Sequence, residues 1–174
     1  MKTILAIIVA FIAAAATLSL TTFDTFTSAV TQQQNFIAEL KCEMLVLSVT
    51  TNATGTAYFQ LDMEDGNKIK YSLTATDLHS VKAAHIHIGK EGEKNGPIIV
   101  SLYKPLRPPG PSGRILSVDD NITSDILEGP LAGEQLSGLV KLINNRITYV
   151  DIHSKEYPNG EFHGQISNRT SIGS

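Results

Sequence analysis

Short stretches in which apolar and polar residues alternate recur through most of this 174-residue chain. Each is closed off by glycine, proline, asparagine or aspartate. Period-two alternation puts successive side chains on opposite faces of an extended backbone, so it specifies half-buried strands and not helices. The strand-like segments are Phe36–Val49, Gly55–Met63, Lys68–Ala75, Ala83–Gly89, Ile98–Tyr103, Ile115–Val118, Arg146–His153 and Glu161–Ile166. Glu64-Asp65-Gly66-Asn67, between Leu61 and Ile69, is a hairpin signal. Lys90–Pro97 reads as a glycine-containing loop, and the proline-rich Lys104–Gly113 as an irregular excursion. Only Ser124–Leu127 and Ser137–Asn144 suit a helix. The second crowds Leu139, Val140, Leu142 and Ile143 on one side, with Ser137 as its N-cap. This pattern predicts an all-β fold, an antiparallel β-sandwich with Greek-key connections and one or two short helices.

The N-terminus has a different character. Lys2 is followed by the uncharged apolar run Ile4–Ala16 and then by Thr/Ser-rich sequence. This is the layout of a secretory signal, with a small-residue cleavage site after Thr27-Ser28-Ala29. The alternative is an uncleaved anchor, since Ile4–Leu20 is just long enough to span a bilayer. The expected organisation is therefore a signal at 1–29, a flexible start at 30–35, one sandwich domain at 36–167 and a tail at 168–174. Such a chain is secreted or held in the cell envelope, outside the cytoplasm, and touches a membrane only if the N-terminal segment stays.

A formal charge of −3 with no basic cluster argues against nucleic-acid partners. Cys42 is the single cysteine, so no disulfide can form within the chain. That is unusual for an exported domain of this size. Stability must then come from the core, or from a metal or partner. A buried inert thiol is the expected state of Cys42. Three N-glycosylation sequons, at Asn52, Asn121 and Asn168, suit an exported glycoprotein.

Four of the five histidines alternate with residues that belong in a core. They are His85 and His87 beside Ile86 and Ile88, His153 beside Val150 and Ile152, and His163 beside Phe162. All four therefore fall on an outer strand face. His85 and His87 are about 6.6 Å apart along one strand and point the same way. His153 joins them only if its strand lies alongside. Imidazole-rich sites suit copper or zinc, and Asp151, on the face of His153, is a candidate to orient or join the ligands. The candidate metal residues are thus His85, His87, His153 and His163, with Asp151 beside them. The other reading is structural: the paired histidines hydrogen-bond loop carbonyls and hold the loop between Gly89 and Gly96. His79 is assigned no role.

Several ordered motifs resemble those of the CHRD domain, first described in chordin and found singly in exported microbial proteins. They are Ala84-His85-Ile86-His87-Ile88-Gly89, Asn95-Gly96-Pro97, Leu127-Glu128-Gly129-Pro130-Leu131-Ala132-Gly133, Tyr149-Val150-Asp151-Ile152-His153-Ser154, and Pro158-Asn159-Gly160-Glu161-Phe162-His163-Gly164-Gln165. The resemblance spans about residues 36 to 167. It departs from the family at Glu43-Met44-Leu45-Val46, where Glu-Val-Pro-Pro is usual. It departs again at Asp151 (usually asparagine), Ser154 (threonine) and His163 (arginine). A metal role for His163 is therefore not implied by the family. The resemblance implies an immunoglobulin-like or superoxide-dismutase-like sandwich and export. It implies a binding or assembly role, with no settled activity. A His-x-His strand before a glycine-rich loop is also locally similar to copper/zinc superoxide dismutase, although the zinc loop and disulfide of that family have no counterpart here.

Catalytic motifs are lacking: there is no Gly-x-Ser-x-Gly elbow, no complete calcium loop around Asp62–Gly66 and no phosphate-binding glycine loop. No catalytic or cofactor-binding residue is assigned. Two functions stand. One is a non-catalytic extracellular binding or assembly module, whose partner is an extracellular or envelope protein or another copy of the chain. The other is an envelope metal-binding protein, for copper or zinc, with superoxide-dismutase-like redox activity.

Overall fold

A computed structural model of the chain describes residues 34–42, 51–62, 67–93, 95–105, 114–160 and 162–169. The expected signal at 1–29, the distal part of the Phe36–Val49 segment and most of the proline-rich excursion lie outside these residues. So do Glu64-Asp65-Gly66, in the expected hairpin turn, and Glu43–Val46, one of the departures from the CHRD pattern.

Among the described residues nine strands form two antiparallel sheets, as the alternation predicts. In chain order they are β1 (Gln34–Leu40), β2 (Thr54–Leu61), β3 (Ile69–Thr76), β4 (Val81–Ile88), β5 (Ile98–Tyr103), β6 (Ile115–Ile122), β7 (Thr148–Ser154), β8 (Phe162–Gln165) and β9 (Ser167–Asn168). The five-stranded sheet has the order β6-β3-β2-β1-β9, and the four-stranded sheet the order β5-β4-β7-β8. β3 pairs with β6 although the hairpin between them in sequence belongs to the other sheet, the kind of crossover a Greek-key sandwich requires.

Alternation is cleanest in β3. Ile69, Tyr71, Leu73 and Ala75 are buried, while Lys70, Ser72, Thr74 and Thr76 face out. Phe36, Phe59, Ile86, Val150, Ile152 and Phe162 join them between the sheets, each 2 % exposed or less. Burying one such large side chain contributes about 1.5–3 kcal/mol. Tyr71 ties the layers directly: its hydroxyl donates to the Leu102 carbonyl of β5 at 2.6 Å.

β6 runs four residues beyond the expected Val118, because pairing with β3 continues to Ile69↔Ile122 through polar residues that alternation alone does not mark as strand. Asn168, the first residue of the expected tail, belongs instead with Ser167 to β9, which pairs with β1 through Phe36↔Asn168 and Ile37↔Ser167. Among the described residues helix is confined to two 3-10 turns, at Ser124–Ile126 and Gly129–Leu131, and to α1 (Leu136–Asn144). α1 starts ahead of the expected Ser137 cap. Gln135 holds the cap position without a side-chain bond, and Leu136, Leu139 and Ile143 are buried. Cys42 is half-buried against the core, less enclosed than expected.

Among the described residues no helix is long and apolar enough to cross a membrane.

Candidate metal centre

β4 and β7 are direct neighbours in the four-stranded sheet, which supplies the adjacency that alternation alone could not. His85 pairs with Asp151, His87 with Tyr149 and Ala83 with His153. Ala84, Ile86, Val150 and Ile152 point into the core, so His85, His87, Tyr149, Asp151 and His153 share the opposite face. Register shifts between β4 and β5 fall at Ala84/His85 and at Ile86/His87. Such irregularities re-aim side chains next to functional sites.

One donor atom from each of His85, His87, Asp151 and His153 lies within 4.8 Å of the other three. Asp151 Oδ1 is at the centre. It stands 3.1 Å from His87 Nε2, 3.0 Å from His153 Nε2 and 3.7 Å from His85 Nδ1. Four ligands around one zinc at 2.0–2.1 Å are spaced by about 3.3 Å in a tetrahedron, and the three Asp151 separations lie on either side of that value.

This face is not solvated, although it lies outside the core. The His85, His87, Asp151 and His153 side chains are 12, 7, 11 and 16 % exposed. Two loops close over them. The loop after β4 brings the Gly96 carbonyl 2.7 Å from His87 Nδ1, and the loop after β7 brings the Pro158 carbonyl 2.9 Å from His153 Nδ1. A carbonyl only accepts, so both rings donate from Nδ1 and turn Nε2 inward toward Asp151. His85 presents Nδ1 instead, a buried atom with no hydrogen-bond partner. Buried polar atoms are rarely left so, and the nearest charged group to this one is the Asp151 carboxylate, 3.7 Å away.

Glycine at 96 is required. A Cβ there would run into the Ile88 carbonyl, so only glycine lets the loop fold back far enough for its own carbonyl to reach His87. The Gly96 N–H donates to the Tyr149 hydroxyl at 3.1 Å. The Tyr149 ring lies parallel to His87, 5.0 Å between centroids and 8° between planes.

The electrostatics favour a cation. Burial by itself would raise the Asp151 carboxyl, but contacts with His153, His85 and His87 outweigh it and hold the group far below the ordinary carboxylate range. Burial alone would lower His87 and His153. Asp151 overrides it in both, with help from the Gly96 and Pro158 carbonyls, and both imidazoles end above 6.5. A metal ion at this place would have to compete with protons.

His163 is in register with Asp151 across β7 and β8. It is nevertheless not one of the four-donor group. Its ring meets that of Tyr149 edge-on, 5.9 Å between centroids. Asp151 is more central than an orienting role demands. The bond from His87 to the Gly96 carbonyl is of the kind the structural reading of the histidines expects, whereas the sequence alone does not indicate Tyr149 or the Pro158 carbonyl. The signal for both loops was the placing of Asn95-Gly96-Pro97 and Pro158-Asn159-Gly160 one loop away from each histidine strand.

The CHRD domain family matches residues 26–166. The chain belongs to the CHRD family. Among curated proteins none matches the chain. The match covers the whole sandwich down to Ile166, including both histidine strands and both loops over them.

Proposed function

We propose that this chain is an extracytoplasmic CHRD module that holds one zinc or copper ion at His85, His87, Asp151 and His153 and serves in binding and not in catalysis. The observation that carries the metal reading is the convergence of three imidazole nitrogens on one buried carboxylate oxygen, with His85 Nδ1 buried and making no hydrogen bond. Three nitrogens and one oxygen suit borderline ions, and hard ions such as calcium and magnesium prefer all-oxygen sites. A site supplying four protein ligands resembles structural zinc sites more than catalytic ones, which keep a position open. The ion would fasten the two covering loops to the sheet, the task a disulfide performs in many exported domains. Export is supported by the apolar run Ile4–Ala16 with Thr27-Ser28-Ala29 after it. As loops on a rigid scaffold, the two covering segments are the proposed contact surface for an extracellular protein or a second copy of the chain.

Metal analysis of the protein purified from its native source without chelator tests this reading. One zinc or copper per chain, lost on acidification through the imidazole range, is the expected result. Protein that carries no metal and binds neither zinc nor copper after reduction and dialysis would leave the cluster as a purely structural ion network. Superoxide turnover by the copper-loaded chain would favour the redox alternative over a binding role.

A further inference from the structure

We propose that Asn121 carries an N-linked saccharide and that this saccharide lies in a groove across the outer face of the five-stranded sheet, against Tyr58, which presupposes the export proposed above. The groove has a volume of about 620 Å³ and is bordered by residues of β1, β2, β3 and β6 and by Arg169. A cross-strand row runs along it: Asn35 pairs with Gln60, Gln60 with Lys70, and Lys70 with Asn121. The chain neighbours Phe36, Phe59, Ile69 and Ile122 are buried, so the row faces out. Tyr58 stands on the same face, two residues before Gln60. Its side chain is 42 % exposed, although the Arg169 guanidinium lies over the ring at 5.3 Å.

Two independent observations meet in this groove. The first is the sequon Asn121-Ile122-Thr123. Of the three sequon asparagines it is Asn121 that borders the groove. It is exposed and stands next to last in β6, an edge strand. The Thr123 hydroxyl, which the acceptor pattern requires, makes no capping bond to the turn it precedes. The second observation is the make-up of the groove. Lys70 and Arg169 are matched by Asp119 and Asp120, so the groove is neutral and selects no ion. Side-chain amides both donate and accept, as sugar hydroxyls do. A tyrosine ring offers an apolar body with a polar tip, which suits the C–H face of a sugar ring. A few placed polar groups around an aromatic surface are the make-up of a small-molecule site. An open groove binds weakly on its own. Tethering through Asn121 compensates, because a linked ligand is held at a high effective concentration. Tyr58 lies two strands from Asn121, about 10 Å across the sheet, within reach of the first sugars. The linkage joins Asn121 Nδ2 to the anomeric carbon of a lipid-linked oligosaccharide. The bond from that carbon to the lipid phosphate breaks, the phosphate leaves with the electron pair, and the amide gives up one proton. A saccharide at this edge also bars another strand from adding to β6.

The protein from its native source is located by cell fractionation and mapped by peptide mass spectrometry. A saccharide on Asn121 is expected. Expressed in the same host, Thr123→Ser should keep it, and Thr123→Ala and Asn121→Gln should lose it. In the intact glycoprotein, nuclear Overhauser contacts should join sugar protons to the Tyr58 ring. Tyr58→Ala should leave the occupancy of Asn121 unchanged and narrow the sugar resonances. Asn52→Gln should leave the Tyr58 contacts as they are. An exported chain with bare Asn121 would overturn this inference alone, whether the groove then takes an added oligosaccharide or a second copy of the chain. Bare Asn121 on a cytoplasmic chain would overturn export as well. Full occupancy without contacts to Tyr58 would overturn the seat in the groove.

Discussion

At the scale of single residues, Asp151 decides the chemistry of the outer face. One of its oxygens serves three imidazoles, so its charge determines which cation the cluster keeps. In metal-free protein this gives a pH signature. Asp151 titrates below its ordinary 3.8, so its stabilising contribution is complete above 3.8 and disappears as pH falls through the lowered value. His87 and His153 titrate above their ordinary 6.5, so theirs is complete below 6.5 and disappears as pH rises through the raised values. Both contributions coexist between about 3.8 and 6.5. Urea denaturation in chelator should show this plateau, and Asp151→Asn should flatten it. A wild-type profile that the substitution leaves unchanged would contradict the account. Asp151→Asn should also abolish metal binding. His87→Ala should do the same and leave the Gly96 carbonyl without its donor, at a cost of about 1–3 kcal/mol. Circular dichroism should show the strands of this variant intact, because the ring lies outside the core.

At the scale of elements, strands were legible in the sequence where one face is buried, and poorly legible where it is not. β5 was read from Ile98 to Tyr103 and stands there, and β3 differs by one residue at each end. β6 was cut short because Asp119, Asp120 and Asn121 carry no alternation. β9 was missed because two polar residues on an edge have no pattern to offer. The histidine face was legible for the same reason as the core: parity is set by Ile86, Val150 and Ile152. The loops over it were not, since nothing in a glycine-proline pair states which carbonyl meets which ring. Gly96 is where loop and strand depend on each other. Gly96→Ala should force the loop off the Ile88 carbonyl, remove the hydrogen bond that turns His87 Nε2 inward and weaken metal affinity by about 10–100-fold, the usual cost of disturbing a partner behind a ligand. Competition titration with a chromogenic chelator measures it. Unchanged affinity would mean that the loop does not orient His87.

At the scale of the whole molecule, the sandwich is held by apolar burial between sheets, with the Tyr71 hydroxyl as a polar tie across the layers. Burial, with the Asp120 charge adding to it, pushes the Tyr71 phenol up to about 12, so it stays protonated and keeps donating well into alkaline solution. Tyr71→Phe should cost about 1–2 kcal/mol by orphaning the Leu102 carbonyl. The proposed metal centre lies outside that core and reaches segments the core does not hold, the loops carrying Gly96 and Pro158. Its contribution therefore adds to that of the core, by RT ln(1 + [M]/Kd) for a metal that binds only the folded chain. At a free metal concentration one hundred times Kd this is about 2.7 kcal/mol, or roughly 5–11 °C in Tm for a domain of this size. Calorimetry of the zinc-loaded and chelated protein should show that difference in wild type and none in His87→Ala. Hydrogen exchange should localise the added protection to residues 89–97 and 155–160, while β2 and β3 exchange at the same rates with and without metal. Protection spread evenly over both sheets would mean that the ion stabilises the core and not the loops, contrary to the geometry of the site.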